Sequence, residues 1–386
     1  MPAIKGITWN HARGFQPLAA MASEWFRQKG TEVKWDIRSL QQFGDQPIEV
    51  LANFYDLLII DHPYVGSAEA NQSLIALDEH LPVSFIQLQK EESVGPSFAS
   101  YWYADHCRAL PIDAAAQVAA CRKDIAVSID WELPLDVRDL EHAASALPAG
   151  KTIAVPLCPT DIWCVFLSLC SLHSDGQFFS GNCIDLESGT WALEQLASWK
   201  KFLYKDSLQM NPIQVLEHMA AFDDIVYVPF TFGYTNYSRK GWRKNTVHFF
   251  NAPLYKNSRH STLLGGAGIA ISSSTTQLDA CLAFVEFALS PEIQKGLYFA
   301  EQGQPAHRAA WFDANNNEKC SGFFANTMDT MSNAYVRPRD NHFNVFQEKA
   351  ADIIHECIAN NIAATQSISK LNSMYQRIVN AKVQSY

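Results

Sequence analysis

The sequence lacks the features that mark several large classes of protein. Its longest apolar runs, Leu57–Ile60 and Ala267–Ile271, fall far short of the roughly 20 residues that a membrane-spanning helix needs. The 9 cysteines show no metal-ligand spacing, because the densest group, Cys158, Cys164 and Cys170, is spread over two six-residue intervals. Lysine and arginine form no cluster and the net charge is −10, which disfavours nucleic acid and anionic membranes as partners. We therefore predict no membrane span, no metal site and no nucleic-acid partner.

Short catalytic motifs are also absent. The chain has no G-x-S-x-G elbow, no G-x-x-x-x-G-K-[ST] phosphate loop and no H-E-x-x-H zinc motif. The glycine-rich run that starts at Gly265 departs from the dinucleotide fingerprint G-x-G-x-x-G. The sequence therefore predicts no cofactor.

The N-terminal residues do not show the basic region, apolar region and cleavage site of a secretory signal peptide. As the sequence stands, we expect a cytoplasmic protein, and the odd number of cysteines agrees with a reducing compartment. If a signal peptide has been removed, the expected location is instead the periplasm.

The length and composition of the chain predict two packed domains. A chain of 386 residues exceeds the usual size of one domain, and 48% hydrophobic residues supply enough apolar surface for two cores. The 10 Trp, 13 Tyr and 23 Phe residues also indicate a ligand cleft that is lined by rings.

The first 110 residues alternate between strand and helix patterns. We predict strands at Ile4–Trp9, Glu32–Ile37 and Tyr55–Asp61, with helices at Gln16–Lys29 and after Pro47. This β-α-β-α-β order predicts an α/β fold with a parallel sheet and right-handed crossovers.

The rest of the chain predicts a second α/β unit and a return to the first. A strand that begins at Leu110 is expected to leave the first sheet, and a later strand is predicted at Gly268–Ser272. The last seventy residues have helical patterns. No Pro/Gly/Ser linker divides the chain, so we expect several crossings between two lobes, and hence a hinge.

One stretch resembles a known family. Residues 265–311 contain a glycine-rich strand, a helix from Leu278, a Ser-Pro-Glu-Ile-Gln helix start at Ser290 and a Gly-Gln-Pro turn at Gly303. This order is similar to the family 1 extracellular solute-binding proteins, which serve carbohydrate importers of the ABC type. The Arg-Pro-Arg segment at Arg337 and the strand from Leu110 extend the resemblance over most of the chain.

The resemblance implies a type II periplasmic-binding fold with two α/β lobes that close on one small ligand. It divides the chain into lobe one, residues 1–110 plus 255–310, and lobe two, residues 111–254 plus 311–386. It also implies an ABC permease as a partner.

Ligands of open α/β sheets bind outside the carboxyl ends of the strands, and this rule selects the candidate site. The selected residues follow predicted strands, lie on the crossing strand or belong to loops of lobe two. They are Trp9, His11, Arg13, Asp61, His62, Tyr64, Asp113, Trp163, Phe230, Tyr234, Gly265 and Gly266. The two glycines allow close approach either of a ligand or of another part of the backbone.

Several pairings within this set remain open at this point. Arg13, beside a helix N-terminus, is predicted either to bind an anionic group or to be a surface arginine that pairs with a local acid. Adjacent residues on an extended strand point to opposite sides, so Asp61 is expected to pair with His11 or Arg13 rather than with His62. Asp113 is expected either to orient a ligand hydroxyl or to pair with Arg13.

These observations lead to two main hypotheses and a third, weaker one. The first is a binding protein that clamps a small polar ligand, either acidic or sugar-like, between its lobes. The second is a cytoplasmic enzyme on the same scaffold, with His11, Asp61 and His62 as acid–base candidates acting on a small carboxylate or a CoA-linked acid. The third is a cytoplasmic sensor that passes its bound state to another protein.

Overall fold

The computed structural model describes residues 2–181 and 183–383. Its strands are β1 Ile4–Trp9, β2 Val33–Arg38, β3 Leu57–Ile60, β4 Trp102–Tyr103, β5 His106–Cys107, β6 Leu110–Cys121, β7 Thr152–Ile153, β8 Phe179–Ser180, β9 Cys183–Ile184, β10 Ile225–Phe232, β11 His248–Phe250 and β12 Leu264–Ile271.

Helices surround these strands on all sides. The α-helices are Ala12–Lys29, Leu40–Asp45, Ile48–Leu51, Val65–Ala70, Val83–Glu92, Ser97–Tyr101, Lys123–Ser128, Leu140–Ser145, Pro159–Ser174, Leu186–Trp199, Pro212–Ala221, Thr235–Ser238, Leu278–Ala288, Pro291–Ile293, Arg308–Trp311, Ala314–Lys319, Phe323–Ser332, Asn341–Asn360 and Ala364–Val383. Within the described residues, no helix is both long enough and apolar enough to cross a membrane.

One continuous sheet runs through the molecule, in the order β2-β1-β3-β12-β6-β10-β7, with β11 also paired to β6. Strands β1, β2 and β3 are parallel, while β12 is antiparallel to both β3 and β6. The predicted α/β class and the β-α-β-α-β start are therefore confirmed.

Strand β6 belongs to two parts of this sheet. Its first residues pair with β12, from Leu110 opposite Ile269 to Ala116 opposite Leu264. Its last residues, Gln117–Cys121, pair with β10 and β11. We call the part formed by β2, β1, β3, β12 and the start of β6 the first half-sheet, and the part formed by the end of β6 with β10, β7 and β11 the second half-sheet. β6 leaves the first half-sheet as expected, but only after its first half has paired with β12.

The buried strand β3 shows why the first half-sheet forms. Leu57 and Ile59 pack with the helix Ala12–Lys29 on one face, whereas Leu58 and Ile60 join a separate apolar cluster on the other. A strand buried on both faces is a continuous apolar run, as is usual where helices cover both sides of a parallel sheet.

A larger core packs against the second half-sheet. It combines the helices Pro159–Ser174 and Leu186–Trp199 with the C-terminal helices Asn341–Asn360 and Ala364–Val383. The helical prediction for the last seventy residues is thus confirmed, whereas the residue boundaries of the two lobes remain a prediction.

Two glycines of β12 permit its close pairing with β6. Gly266 has a φ of +103°, and a Cβ at this position would lie 2.4 Å from the carbonyl oxygen of Asp113. A Cβ at Gly265 would lie 2.6 Å from the ring of Phe232. The structure therefore requires both glycines for contacts within the protein.

We expect Gly266→Ala to destabilise the protein by more than about 2 kcal/mol, because the substitution adds a backbone clash to an unfavourable φ. Guanidinium unfolding measures this loss. The control is Gly150→Ala, where φ is +81° but no atom lies within 4 Å of the new Cβ. It should lose only about 1–2 kcal/mol, the cost of a left-handed conformation. Equal losses in the two variants would contradict the clash at Gly266.

Candidate functional site

A cavity of about 730 Å³ is lined by residues from both half-sheets and their connections. The residues around it are Trp9, Arg13, Leu40, Phe43, Asp61, Tyr64, Asp113, Ala115, Cys158, Pro159, Thr160, Asp161, Trp163, Cys164, Asn211, Pro212, Phe232, Tyr234, Gly265, Gly266, Ala267, Arg337, Gln347, Glu348, Ala351 and Asp352. All the residues predicted to bind ligand line it except His11, His62 and Phe230. Its volume lies within the ordinary range for small-molecule sites.

The three exceptions have places outside the cavity lining. Nδ1 of His11 accepts a hydrogen bond from the backbone N–H of Arg13, 3.1 Å away, and so caps the helix that begins at Ala12. His62 is buried beside Asp61. Phe230 is fully buried and stacks on Trp199, with 6.0 Å between ring centroids.

Both histidines are held in the neutral form. Burial, together with the charge of Arg13, lowers the pKa of His11 to about 4. Burial also lowers the pKa of His62 to about 4, with Arg337 adding to the effect. Neither ring is therefore poised to exchange a proton near neutral pH, and neither lines the cavity.

The predicted pairings of Asp61 were wrong. Asp61 caps a short 3-10 helix, His62–Tyr64, so the backbone turns directly after it rather than continuing as a strand. As a result, Nδ1 of His62 lies 3.1 Å from the Asp61 carboxylate. The second carboxylate oxygen of Asp61 accepts a hydrogen bond from Arg337, not from His11 or Arg13.

Arg13 uses its guanidinium inside the protein, in the pair with Asp113 that was one of the two expectations for Asp113. It is neither an anion seat nor a surface arginine that pairs with a local acid. Nε donates to Asp113 at 2.8 Å, Nη2 donates to the other carboxylate oxygen, and Nη1 donates to the carbonyl oxygen of Gly233 at 2.7 Å. Burial opposes the charged form, but Asp113 raises the pKa of Arg13 above its usual value. These bonds join the start of the first helix, β6 and the end of β10.

We expect Arg13→Met to cost about 3–5 kcal/mol of folding free energy, because it leaves the Asp113 carboxylate buried without a cation. Chemical denaturation measures the loss. Adding Asp113→Asn should restore most of the stability, since it removes the uncompensated charge. The control Arg27→Met, which breaks an exposed pair with Glu24, should change little. If the double variant is as unstable as Arg13→Met alone, this electrostatic account fails.

Arg337 reaches the cavity from the C-terminal part of the chain. It lies 276 residues from Asp61 in sequence, and its guanidinium and the neighbouring His62 hold the pKa of the Asp61 carboxyl well below its usual range, although burial opposes them. The same segment is fixed by Arg339, whose Nη1 donates to the carbonyl oxygen of Trp102 at 2.7 Å. Arg337 was part of the family resemblance but was not predicted as a site residue.

Asp161 is the second residue that the sequence analysis missed. It lies in the first turn of the helix Pro159–Ser174, is 8% exposed and lines the cavity. The Cys158 thiol donates to its carboxylate at 3.0 Å, and no lysine, arginine or histidine among the described residues forms an ion pair with it. Burial raises the pKa of Asp161 to about 7. In sequence, an acid in a first helical turn is indistinguishable from one that only stabilises the helix.

The cysteines at the cavity are held as thiols, the less reactive form, near neutral pH. Burial raises the pKa of Cys164 to about 12, and it also raises the pKa of Cys158 well above its usual value. No group of three or more His, Cys, Asp or Glu side chains in residues 2–181 and 183–383 is arranged to hold a metal ion.

Three residues that line the cavity each have a buried N–H donor without a partner among the described residues. These donors are the indole N–H groups of Trp9 and Trp163 and the Nε–H of Arg337. The side chains are 5%, 2% and 6% exposed, so these groups are almost withdrawn from water. A buried donor without a partner costs about 1–3 kcal/mol, which a bound acceptor would relieve.

The charge state of Asp161 makes a prediction about pH. The unfolded chain releases this proton near pH 4 and the folded protein near pH 7, so the carboxyl destabilises the fold progressively as pH rises between these values. We expect Asp161→Asn to stabilise the protein, by about 2–3 kcal/mol more at pH 8 than at pH 5. Urea unfolding at both pH values measures the difference. The exposed control Asp105→Asn should show no such trend, and an equal effect of Asp161→Asn at both pH values would refute the assignment.

Residues 52–307 match the family described as "Bacterial extracellular solute-binding protein". The chain belongs to this family. The resemblance read from residues 265–311 is therefore confirmed, and the enzyme hypothesis gains no support. No curated protein matches the chain.

Solved structures of similar shape extend this result over almost the whole chain. An ABC-transporter solute-binding protein of Agrobacterium radiobacter K84, in complex with ribitol, is 17% identical, with a TM-score of 0.84 and coverage of 97% of this chain and 98% of that one. A maltose-bound protein of T. maritima is 16% identical, with a TM-score of 0.84 and coverage of 97% and 99%. A solute-binding protein of Agrobacterium vitis S4 with D-mannitol is 13% identical, with a TM-score of 0.79 and coverage of 98% and 99%. At these identities, the likeness shows the two-lobed fold.

Proposed function

We propose that this solute-binding protein takes up a small polyhydroxylated molecule, a sugar or a sugar alcohol, and delivers it to the permease of an ABC importer. The observation that carries the proposal is the mixed lining of the cavity, which combines the acceptor Asp161 with Trp9, Trp163 and Arg337, each of which has an N–H group without a partner among the described residues. A hydroxyl group both donates and accepts hydrogen bonds, so neighbouring hydroxyls complement such a mixed set.

The rings of the cavity support the same class of ligand. Trp9, Tyr64, Trp163, Phe232 and Tyr234 all line it. Aromatic faces pack against the apolar C–H surface of a sugar, while its hydroxyls reach the polar groups between the rings.

The cavity is a poor match to an acidic ligand, the other class that the sequence left open. Both of its guanidinium groups are already paired, Arg13 with Asp113 and Arg337 with Asp61. Without displacing a carboxylate, an anion could reach only the Nε–H of Arg337, where the neighbouring Asp61 carboxylate would repel it.

The comparisons support the transport role. The ribitol-bound and mannitol-bound structures are described as ABC-transporter solute-binding proteins, and the matched family is described as extracellular. We therefore favour a location outside the cytoplasm and a permease as the protein partner. In such a clamp, the ligand shifts an equilibrium between open and closed arrangements of the two half-sheets.

A thermal-shift panel of sugar alcohols, monosaccharides and disaccharides tests the proposal. At least one member should raise the melting temperature, because a ligand that binds only the folded state stabilises it. For that compound, Trp163→Phe should weaken binding by roughly 3- to 10-fold in calorimetry, the size of one lost hydrogen bond.

The matched control is Trp199→Phe, which changes an equally buried indole that does not line the cavity. It should leave the affinity unchanged. If no compound in the panel raises the melting temperature, or if both variants lose affinity equally, the proposed site is wrong.

A further inference from the structure

The charges that line the cavity do not balance. Among the described residues that line it, three carboxylates are largely withdrawn from water, against two guanidinium groups. The carboxylates are Asp61, Asp113 and Asp161, and the guanidiniums are Arg13 and Arg337, whereas Glu348 and Asp352 line the cavity as exposed side chains. The field inside this space is therefore negative, and a cleft with low-dielectric walls concentrates such a field.

The two arginines leave Asp161 uncompensated. Arg13 is bound by Asp113 through two oxygens, and Arg337 is bound by Asp61. Asp161 receives only the weak thiol donor of Cys158, at 3.0 Å, although the residue is 92% withdrawn from solvent. Among buried carboxylates at the cavity, it is the one without a cation in the described part of the chain.

The surroundings of Asp161 suit a positively charged nitrogen. Trp163 and Tyr234 line the same cavity as Asp161, and the charge of Asp161 helps to raise the pKa of Tyr234. Aromatic rings stabilise an ammonium group through their faces, and a buried carboxylate binds it through a charge-assisted hydrogen bond. A neutral hydroxyl could donate to Asp161 but would leave its negative charge desolvated and unbalanced.

We propose that the preferred ligand carries a protonated amino group beside its hydroxyls, and that this amino group pairs with Asp161. The ligand class is then an amino sugar or an amino-substituted sugar alcohol. This inference rests on the proposed function and narrows the ligand of the same cavity. The raised pKa of Asp161 agrees with it, because a bound ammonium would supply the positive charge that favours the ionised form.

Calorimetric titration of matched pairs tests the inference. The pairs are D-glucose with D-glucosamine, D-glucose with 6-amino-6-deoxy-D-glucose, and D-sorbitol with 1-amino-1-deoxy-D-sorbitol, all at pH 7. In at least one pair, the amine should bind about tenfold or more tightly than its hydroxyl parent, the size of a charge-assisted hydrogen bond. The N-acetylated form of that amine, which has no charge, should lose the advantage.

The variant Asp161→Asn identifies the partner of the amine. It should remove the preference for the amine, so that the affinity for the amine falls about tenfold more than the affinity for its hydroxyl parent. Asp105→Asn, an exposed change outside the cavity, should keep the preference. If Asp161→Asn keeps it as well, the pairing with Asp161 is overturned.

Failure of the inference and failure of the proposed function give different results. If hydroxyl parents bind the wild-type protein as tightly as every amine, the amine preference is wrong and the sugar-binding function stands. If no sugar, sugar alcohol or amine binds, both are wrong.

Discussion

The architecture depends on one shared strand and on the buried ion pair at its centre. β6 pairs with β12 through its first half and with β10 and β11 through its second, so a single backbone segment holds both half-sheets. Asp113, in the first half of β6, binds Arg13 from the first helix, and Arg13 also binds the carbonyl oxygen of Gly233 at the end of β10.

This use of the arginines determines what the cavity offers a ligand. A guanidinium that is satisfied by protein carboxylates keeps the structure together but cannot attract an anion. Arg13 is committed in this way, and Arg337 is committed to Asp61 apart from its Nε–H. The groups left for a ligand are therefore indole donors, one arginine N–H, rings and an unpaired acid. The chemistry of the site follows from which charges the fold has already used.

The sequence predicted the parts of the molecule that local patterns determine. The apolar run of β3, the helix and strand order of the first 110 residues and the glycine-rich strand β12 all follow from spacing and composition. It failed where distant contacts or local irregularities decide. Arg337 meets Asp61 across 276 residues, and the β10–β6 pairing shifts register between Val228 and Thr231, just before the point where Phe232 rather than Phe230 reaches the cavity. Neither a long-range ion pair nor a bulge leaves a periodic signal.

Asp161 is stronger evidence for a ligand site than the indole donors are. Partnerless indole N–H groups also occur at Trp25 and Trp35, away from the cavity, so such donors alone do not mark a ligand site. A carboxylate that is buried without a cation is better evidence of a ligand site, because its loss of hydration opposes folding at every pH at which the group is ionised. Natural sequences depart from local consistency mainly at functional sites. The free-energy cost of burying the Asp161 carboxylate arises at a cavity that the two half-sheets enclose. A solute bound in this cavity can offset that cost.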